Sequence, residues 1–155
     1  MNSFFYRKIT QSCEELLYLA SEKGLELYVE LDNNHQTIIS DRLKLELILN
    51  NLVMNAIKFT SKGHIKITTR TGESAYEICV EDTGIGIDKE YFEYIFEKFT
   101  QIDQGIRRKY GGTGLGLSIV KTMVDCLQGK ILLESEPGLG SKFNLIFPVN
   151  LHTDE

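Results

Sequence analysis

The sequence predicts an α+β fold: a two-layer sandwich in which a mixed, mostly antiparallel sheet is covered on one face by about three helices. Three observations carry this. Apolar residues recur at three- and four-residue steps in three segments, and they alternate with polar residues in several others that include hairpins. Strict strand–helix–strand alternation, the mark of a doubly wound parallel fold, is absent. The third observation is size, since 155 residues of which 42% are hydrophobic bury a core without disulfides or a structural metal.

The first helix spans about Tyr6 to Glu22, with Ile9, Cys13, Leu16, Leu17 and Ala20 on one face, and Gly24 ends it. Leu25, Leu27, Val29 and Leu31 alternate as a strand, and Asp32-Asn33-Asn34 turns the chain into a brief strand at Thr37-Ile38-Ile39. Ser40 or Asp41 caps the second helix, which carries Leu45, Ile48, Leu49, Leu52, Val53 and Ile57 to about Thr60 before Ser61-Lys62-Gly63 breaks it. Ile65 and Ile67, then Tyr76, Ile78 and Val80, mark a hairpin turning at Thr71-Gly72-Glu73-Ser74. After a loop from Asp82 to Asp88 comes a short helix near Lys89 to Ile95, then a polar stretch from Thr100 to Gly112. A third long helix from about Gly114 to Leu127 is closed by Gly129. Strands at Lys130–Ser135 and Ser141–Phe147, joined at Pro137-Gly138, complete the chain. Residues 1–150 read as one domain and 151–155 as a polar tail or linker.

Seventeen Lys and Arg against twenty-two Asp and Glu leave a net charge of −5, which argues against a nucleic-acid partner. Cys13, Cys79 and Cys126 are odd in number, far apart and set among apolar neighbours. They read as reduced thiols in or near the core, in a cytoplasmic setting. No apolar run approaches the roughly 18 residues of a membrane span, so no direct membrane contact is expected.

Three constellations carry chemistry. In Asn51-Leu-Val-Met-Asn55-Ala-Ile-Lys58, two carboxamides and an ammonium stand at i, i+4 and i+7 on one face of the most apolar helix. That face either meets something polar or is simply exposed. Asp82-Thr-Gly84-Ile-Gly86-Ile87 follows a strand directly; its glycines permit close approach to a flat ligand and its carboxylate accepts from an exocyclic amine, although such a run is also a common turn. Gly112-Thr113-Gly114-Leu115-Gly116-Leu117 opens a helix, where backbone N–H groups form an anion site suited to phosphates. The alternative there is glycine placed for tight packing. This is neither a P-loop nor a dinucleotide fingerprint, because no Lys-Ser/Thr follows and no strand immediately precedes it. Between the second and third runs, Phe96-Glu-Lys-Phe99 suits a hinge packed on the core. Arg107-Arg108-Lys109 beyond it lies over phosphates or on a solvated surface, and residues 96–112 read as a flexible lid.

In order and spacing these runs resemble the catalytic ATP-binding domain of sensor histidine kinases, within the wider superfamily of gyrase, chaperone and mismatch-repair ATPases. Asn51 to Thr60 looks like the family's N box, Asp82 to Ile87 its first glycine box, Phe96 to Phe99 its F box, and Gly112 to Leu117 its second glycine box. Lys23-Gly-Leu-Glu-Leu and the segment from Glu134 to Phe143 also look familial. The resemblance implies that Asp82 accepts from the adenine amino group, with Gly84, Gly86 and Ile87 as the wall beside the base and Phe59 lining it. It implies that Asn55 coordinates Mg²⁺, that Asn51 and Lys58 hold phosphate oxygens, that the backbone from Thr113 to Leu117, with Leu115 and Gly116 between, cradles the β and γ phosphates of ATP, and that Gly112 and Gly114 belong to the nucleotide site. Leu47 and Lys44 depart from the pattern, standing where many members have Gln and Arg.

No histidine here carries the family's substrate-histidine motif; His35, His64 and His152 read as surface residues. The implied partners are therefore a helical dimerisation and histidine phosphotransfer domain of the same protein, and a response regulator receiver domain. The chain by itself is expected to be a monomer. Two alternatives stand beside the kinase. One is a hydrolytic ATPase of the same superfamily, whose members use a Glu base where this chain has Asn51, a carboxamide unable to take a proton from water. The other is a non-catalytic binding module.

Overall fold

The computed structural model describes residues 14–32, 40–100 and 112–149. In chain order these hold helix α1 (residues 14–22), strand β1 (Glu26–Glu30), helix α2 (Arg42–Phe59), strands β2 (His64–Thr71) and β3 (Ala75–Asp82), helix α3 (Gly116–Cys126), and strands β4 (Lys130–Glu136) and β5 (Gly140–Pro148). The strand at Thr37-Ile38-Ile39, Cys13, the basic run 107–109, His35, His152 and the tail 151–155 lie outside the described residues.

The helix ends follow from cap chemistry. At the end of α1, Leu25 N–H donates to the Ala20 carbonyl and Gly24 N–H to that of Ser21, with Gly24 at φ +74°, a Schellman turn that glycine makes without strain. Of the two candidate caps for α2 it is Asp41 whose carboxylate accepts from Lys44 N–H. At the other end of α2 the Lys23 ammonium donates to the carbonyls of Ile57 and Lys58, placing a cation where the helix dipole is negative. That contact ties the α1–β1 junction to the helix carrying the Asn face.

The sheet order is β1-β2-β3-β5-β4. Among the described strands only β1 and β2 run parallel, which the α2 crossover between them allows; the other pairs are antiparallel. The inward phase of the sheet contributes Ile65, Ile67, Tyr76, Ile78, Val80, Phe143, Leu145 and Phe147 to a core closed by Leu45, Ile48, Leu49, Leu52 and Val53 of α2 and by Val120 and Val124 of α3. Tyr76 stacks on Phe147 with ring centroids 5.0 Å apart.

Four sequence expectations change. α3 begins at Gly116 rather than Gly114, because Gly114 sits at φ +70°, outside the right-handed helical region. The expected helix at Lys89–Ile95 is one 3₁₀ turn, Lys89–Tyr91, continued by isolated turns, since so short a segment gains too few hydrogen bonds to repay nucleation. Of the two described cysteines, Cys79 is half-buried on the outward phase of β3, whereas Cys126 is exposed on the last turn of α3 rather than in or near the core. His64 is half-buried rather than on the surface, its ring edge-on to Tyr28 at 5.7 Å.

Candidate functional site

A cavity of about 730 Å³ opens between α2, the start of α3 and one end of β3 and β5. Its phosphate-sized end is built on helices. Asn51, Asn55, Lys58 and Phe59 of α2 all line it, and all four are half-buried. Across from them runs the segment Gly112 to Leu117, each residue of which also lines the cavity. A Cβ placed on Gly116 would stand 3.2 Å from Asn51 Oδ1 and 3.7 Å from Asn55 Nδ2, and one on Gly112 would stand 2.2 Å from Lys58 Nζ. Glycine there leaves open the space that any side chain would fill against the three polar groups.

Among the described residues no side chain caps the N-terminus of α3, and its first N–H groups and the positive end of its dipole face this space. Asn51 is oriented by donating its Nδ2 to the Leu47 carbonyl at 2.8 Å, which leaves its Oδ1 toward Gly116. Burial pushes the Lys58 ammonium below the ordinary lysine value, and the ammonium lies 5.0 Å from the Phe59 ring centroid, within cation–π range.

The other end is built on the sheet. Asp82 closes the inward phase of β3 and is 9% exposed. Burial pushes its carboxyl above the usual carboxylate value, against the pull of the Gly84 and Ser141 backbone N–H groups; the Gly84 bond is 2.8 Å. Gly86 and Ile87 line the cavity wall beside it, and Gly84 does not. Gly84 packs behind Asp82, where a Cβ would meet the Phe59 carbonyl at 2.5 Å and Thr60 Oγ1 at 2.8 Å, so it holds the loop against the end of α2. Thr60 is fully buried, and its hydroxyl has no hydrogen-bond partner in the described structure.

Gly86 has φ +70°, and a Cβ on it would come within 2.0 Å of the Glu136 carbonyl oxygen. Gly86→Ala is therefore expected to lower the melting temperature, through about 1–2 kcal/mol of left-handed backbone strain and displacement of the β4–β5 turn. Thermal unfolding checks it; an unchanged melting temperature would show that the loop moves freely from that turn.

The phenylalanine pair divides. Phe96 is half-buried and edge-on to Phe143, whereas the Phe99 side chain is 74% exposed at φ 62°, and Phe99 is tied instead through its backbone N–H, which donates to the Gly114 carbonyl at 3.0 Å. Sequence reasoning passed over Ser141, Tyr91, Ile95, Leu52 and Phe143, all lining residues. For Ser141 a signal existed: a polar residue occupying the inward phase of an otherwise apolar strand. Among the described residues no cluster of three or more His, Cys, Asp or Glu forms a metal site, and no helix is long and apolar enough to cross a membrane.

Residues 40–151 match the family model described as histidine kinase-, DNA gyrase B- and HSP90-like ATPase. The structure resembles the catalytic domain of the histidine kinase ThkA, in a nucleotide-free form, with a TM-score of 0.73 and 30% identity over 91% of this chain and 94% of that one. It also resembles full-length ShkA in complex with AMPPNP, with a TM-score of 0.81 and 30% identity over 92% of this chain and 29% of ShkA. In sequence the chain is 40% identical over 138 residues to the autoinducer 2 sensor kinase/phosphatase LuxQ of Vibrio cholerae, a match covering 86% of this chain and 16% of LuxQ. The chain thus spans about a sixth of that relative's length.

Fold and family match together define an ATP-binding α+β domain, and the chain belongs to the histidine kinase-, DNA gyrase B- and HSP90-like ATPases. Within that family it is the catalytic ATPase domain of histidine kinases that the chain matches nearly end to end.

Proposed function

We propose that this domain binds ATP with Mg²⁺ in the cavity and presents the γ-phosphate to a histidine on a dimerisation and phosphotransfer domain of its own protein, from which a response regulator receiver domain takes it. The observation supporting this reading is that two carboxamides and an ammonium on α2 oppose the uncapped N-terminus of α3, while a buried carboxylate stands at the sheet end of the same cavity. The first group suits a polyphosphate and the second an exocyclic amine.

In this proposal Asp82 accepts from the adenine amino group, with Gly86, Ile87 and Phe59 beside the base and Gly84 supporting the loop from behind. Asn51, Lys58 and the backbone from Gly112 to Leu117 hold phosphate oxygens. Asn55 would hold Mg²⁺ jointly with the phosphates, and the ion would supply neutralisation of their charge. Positioning and charge stabilisation are most of what phosphoryl transfer needs. Hydrolysis needs a base for water as well, and Asn51 is not one.

Calorimetric titration tests the reading, since the chain has no Trp to report binding optically. ADP and AMPPNP are expected to bind, with AMPPNP tightened by Mg²⁺ and GDP excluded. GDP binding equal to ADP would overturn the adenine assignment. A supplied phosphotransfer domain then tests the transfer: label from ATP is expected on its histidine, and rapid release of free phosphate instead would favour the hydrolytic ATPase.

A further inference from the structure

Asp82, Ser141 and Ser135 form one transverse row across three adjacent strands. Asp82 pairs directly with Ser141 between β3 and β5, and Ser141 with Ser135 between β5 and β4. Directly opposed residues set their side chains on one face with Cβ atoms roughly 4.5–5.5 Å apart, and this is the face the helices cover. Ser141 is buried and lines the cavity with Asp82, whereas Ser135, one strand farther out, does not reach it.

A proton inventory orients the two hydroxyls. Ser135 Oγ lies 2.7 Å from the Gly140 carbonyl oxygen, 2.8 Å from Ile87 N and 2.9 Å from Ser141 Oγ. A carbonyl oxygen only accepts and a backbone N–H only donates. The single Ser135 proton therefore goes to Gly140, and the Ile87 N–H occupies one Ser135 lone pair. The remaining Ser135 lone pair faces Ser141, so the Ser141 hydroxyl is the donor in that contact. Ser141 Oγ is left with lone pairs alone, and its backbone N–H is engaged with the Asp82 carboxylate.

We infer that Ser135 is a positioning residue for base selection: by taking the Ser141 proton it fixes the Ser141 hydroxyl as an acceptor beside Asp82. The cavity floor then offers an all-acceptor edge, matched to the amino group of adenine and mismatched to the ring carbonyl of hypoxanthine or guanine. This deepens the nucleotide reading proposed above and rests on it. The base-reading property is thereby controlled by a side chain that does not line the cavity.

The test is the ratio of ADP to IDP affinity, measured by calorimetry for the wild-type chain and for Ser135→Ala, Ser135→Thr and Ser141→Ala. Ser135→Ala frees the Ser141 hydroxyl to donate, so IDP binding tightens and the ratio falls roughly fivefold or more, the scale of one exchanged hydrogen bond. Ser135→Thr keeps the hydroxyl and restores the ratio. Ser141→Ala lowers the ratio from the other side, by weakening ADP and not IDP. A role in structure alone would weaken both nucleotides together, and that result, or an unchanged ratio, overturns the inference. Should Ser135→Ala not fold, the ratio in Ser141→Ala decides in the same way. Wild-type chain that binds neither nucleotide overturns the nucleotide reading itself, and this inference with it. Tight ADP binding with a ratio indifferent to both serines sinks the inference alone.

Discussion

Asp82→Asn is expected to weaken ADP binding by roughly 10- to 150-fold, the loss of a charge-assisted hydrogen bond of about 1.5–3 kcal/mol, while raising the melting temperature of the nucleotide-free domain at neutral pH. Both effects come from one placement. Burial raises the Asp82 carboxyl above its ordinary value of 3.8, and the N–H groups of Gly84 and Ser141 offset this only in part. A raised value in the folded state means that the native protein holds that proton more tightly than the unfolded chain does. The stability Asp82 contributes is therefore full below pH 3.8 and is lost as pH rises through the raised folded value. Above that raised value the wild-type chain carries a buried charge that Asn removes, and the Asn side-chain oxygen still accepts from Gly84 N–H. Thermal melts across pH check this: the variant's advantage at pH 7 is expected to shrink as pH falls toward 3.8. A variant that binds ADP as well as wild type refutes the adenine assignment. One that melts lower at pH 7 shows that the two N–H groups satisfy the charge better than burial opposes it.

The stability cost at Asp82 fits a division of labour in the cavity. Its sheet end is held by direct cross-strand pairs, Asp82 with Ser141 and Ser141 with Ser135, which fix side-chain positions through backbone ladders on both sides. At its helix end the lack of side chains at Gly112 and Gly116 leaves space beside Lys58, Asn51 and Asn55 of α2, so that the backbone of that segment can face the cavity. In the proposed function base recognition falls to the sheet layer. The proposed phosphate contacts fall to the layer whose flanking residues, Thr100 and Gly112, also line the cavity.

How much of this was legible in the sequence depended on whether the deciding contacts were local. The α2 face was readable because helical geometry alone brings residues 51, 55 and 58 together, and the end of α1 was readable because a Schellman turn needs only Gly24 and its neighbours. The start of α3 was misplaced by two residues, since a glycine signals a helix start equally well whether it is helical or, like Gly114, left-handed. The parallel pairing of β1 with β2 depends on a partner more than thirty residues away and leaves no local mark. Ser135 and Ser141 were visible as polar residues in the inward phase of apolar strands. Their alignment with Asp82 needed the register of three strands, which no single strand contains. Gly84 shows the reverse failure: it belongs to a motif whose neighbours line the cavity, yet it works from behind, because the loop turns it toward the end of α2.

Asn55→Ala is expected to separate the two ends of the cavity. Asn55 is half-buried at the cavity wall and is not among the buried core residues of α2, so the fold should persist. ADP binding without Mg²⁺ should change little, because the Asp82 end is untouched. What is expected to vanish is the tightening of AMPPNP by Mg²⁺, and with it phosphotransfer to a supplied histidine domain, by roughly 100-fold or more, the scale of losing one group that stabilises developing charge. Asn51→Ala offers the contrast: it removes the side chain anchored to the Leu47 carbonyl, so it should weaken AMPPNP with and without the ion alike. The pair of titrations, each with and without Mg²⁺, therefore distinguishes a metal ligand from a phosphate ligand one helical turn away. If Mg²⁺ still strengthens AMPPNP binding to Asn55→Ala, the ion is held elsewhere and the role assigned to Asn55 is wrong. If both variants lose the Mg²⁺ effect equally, the two carboxamides act as one unit around the ion, and the division proposed between them fails.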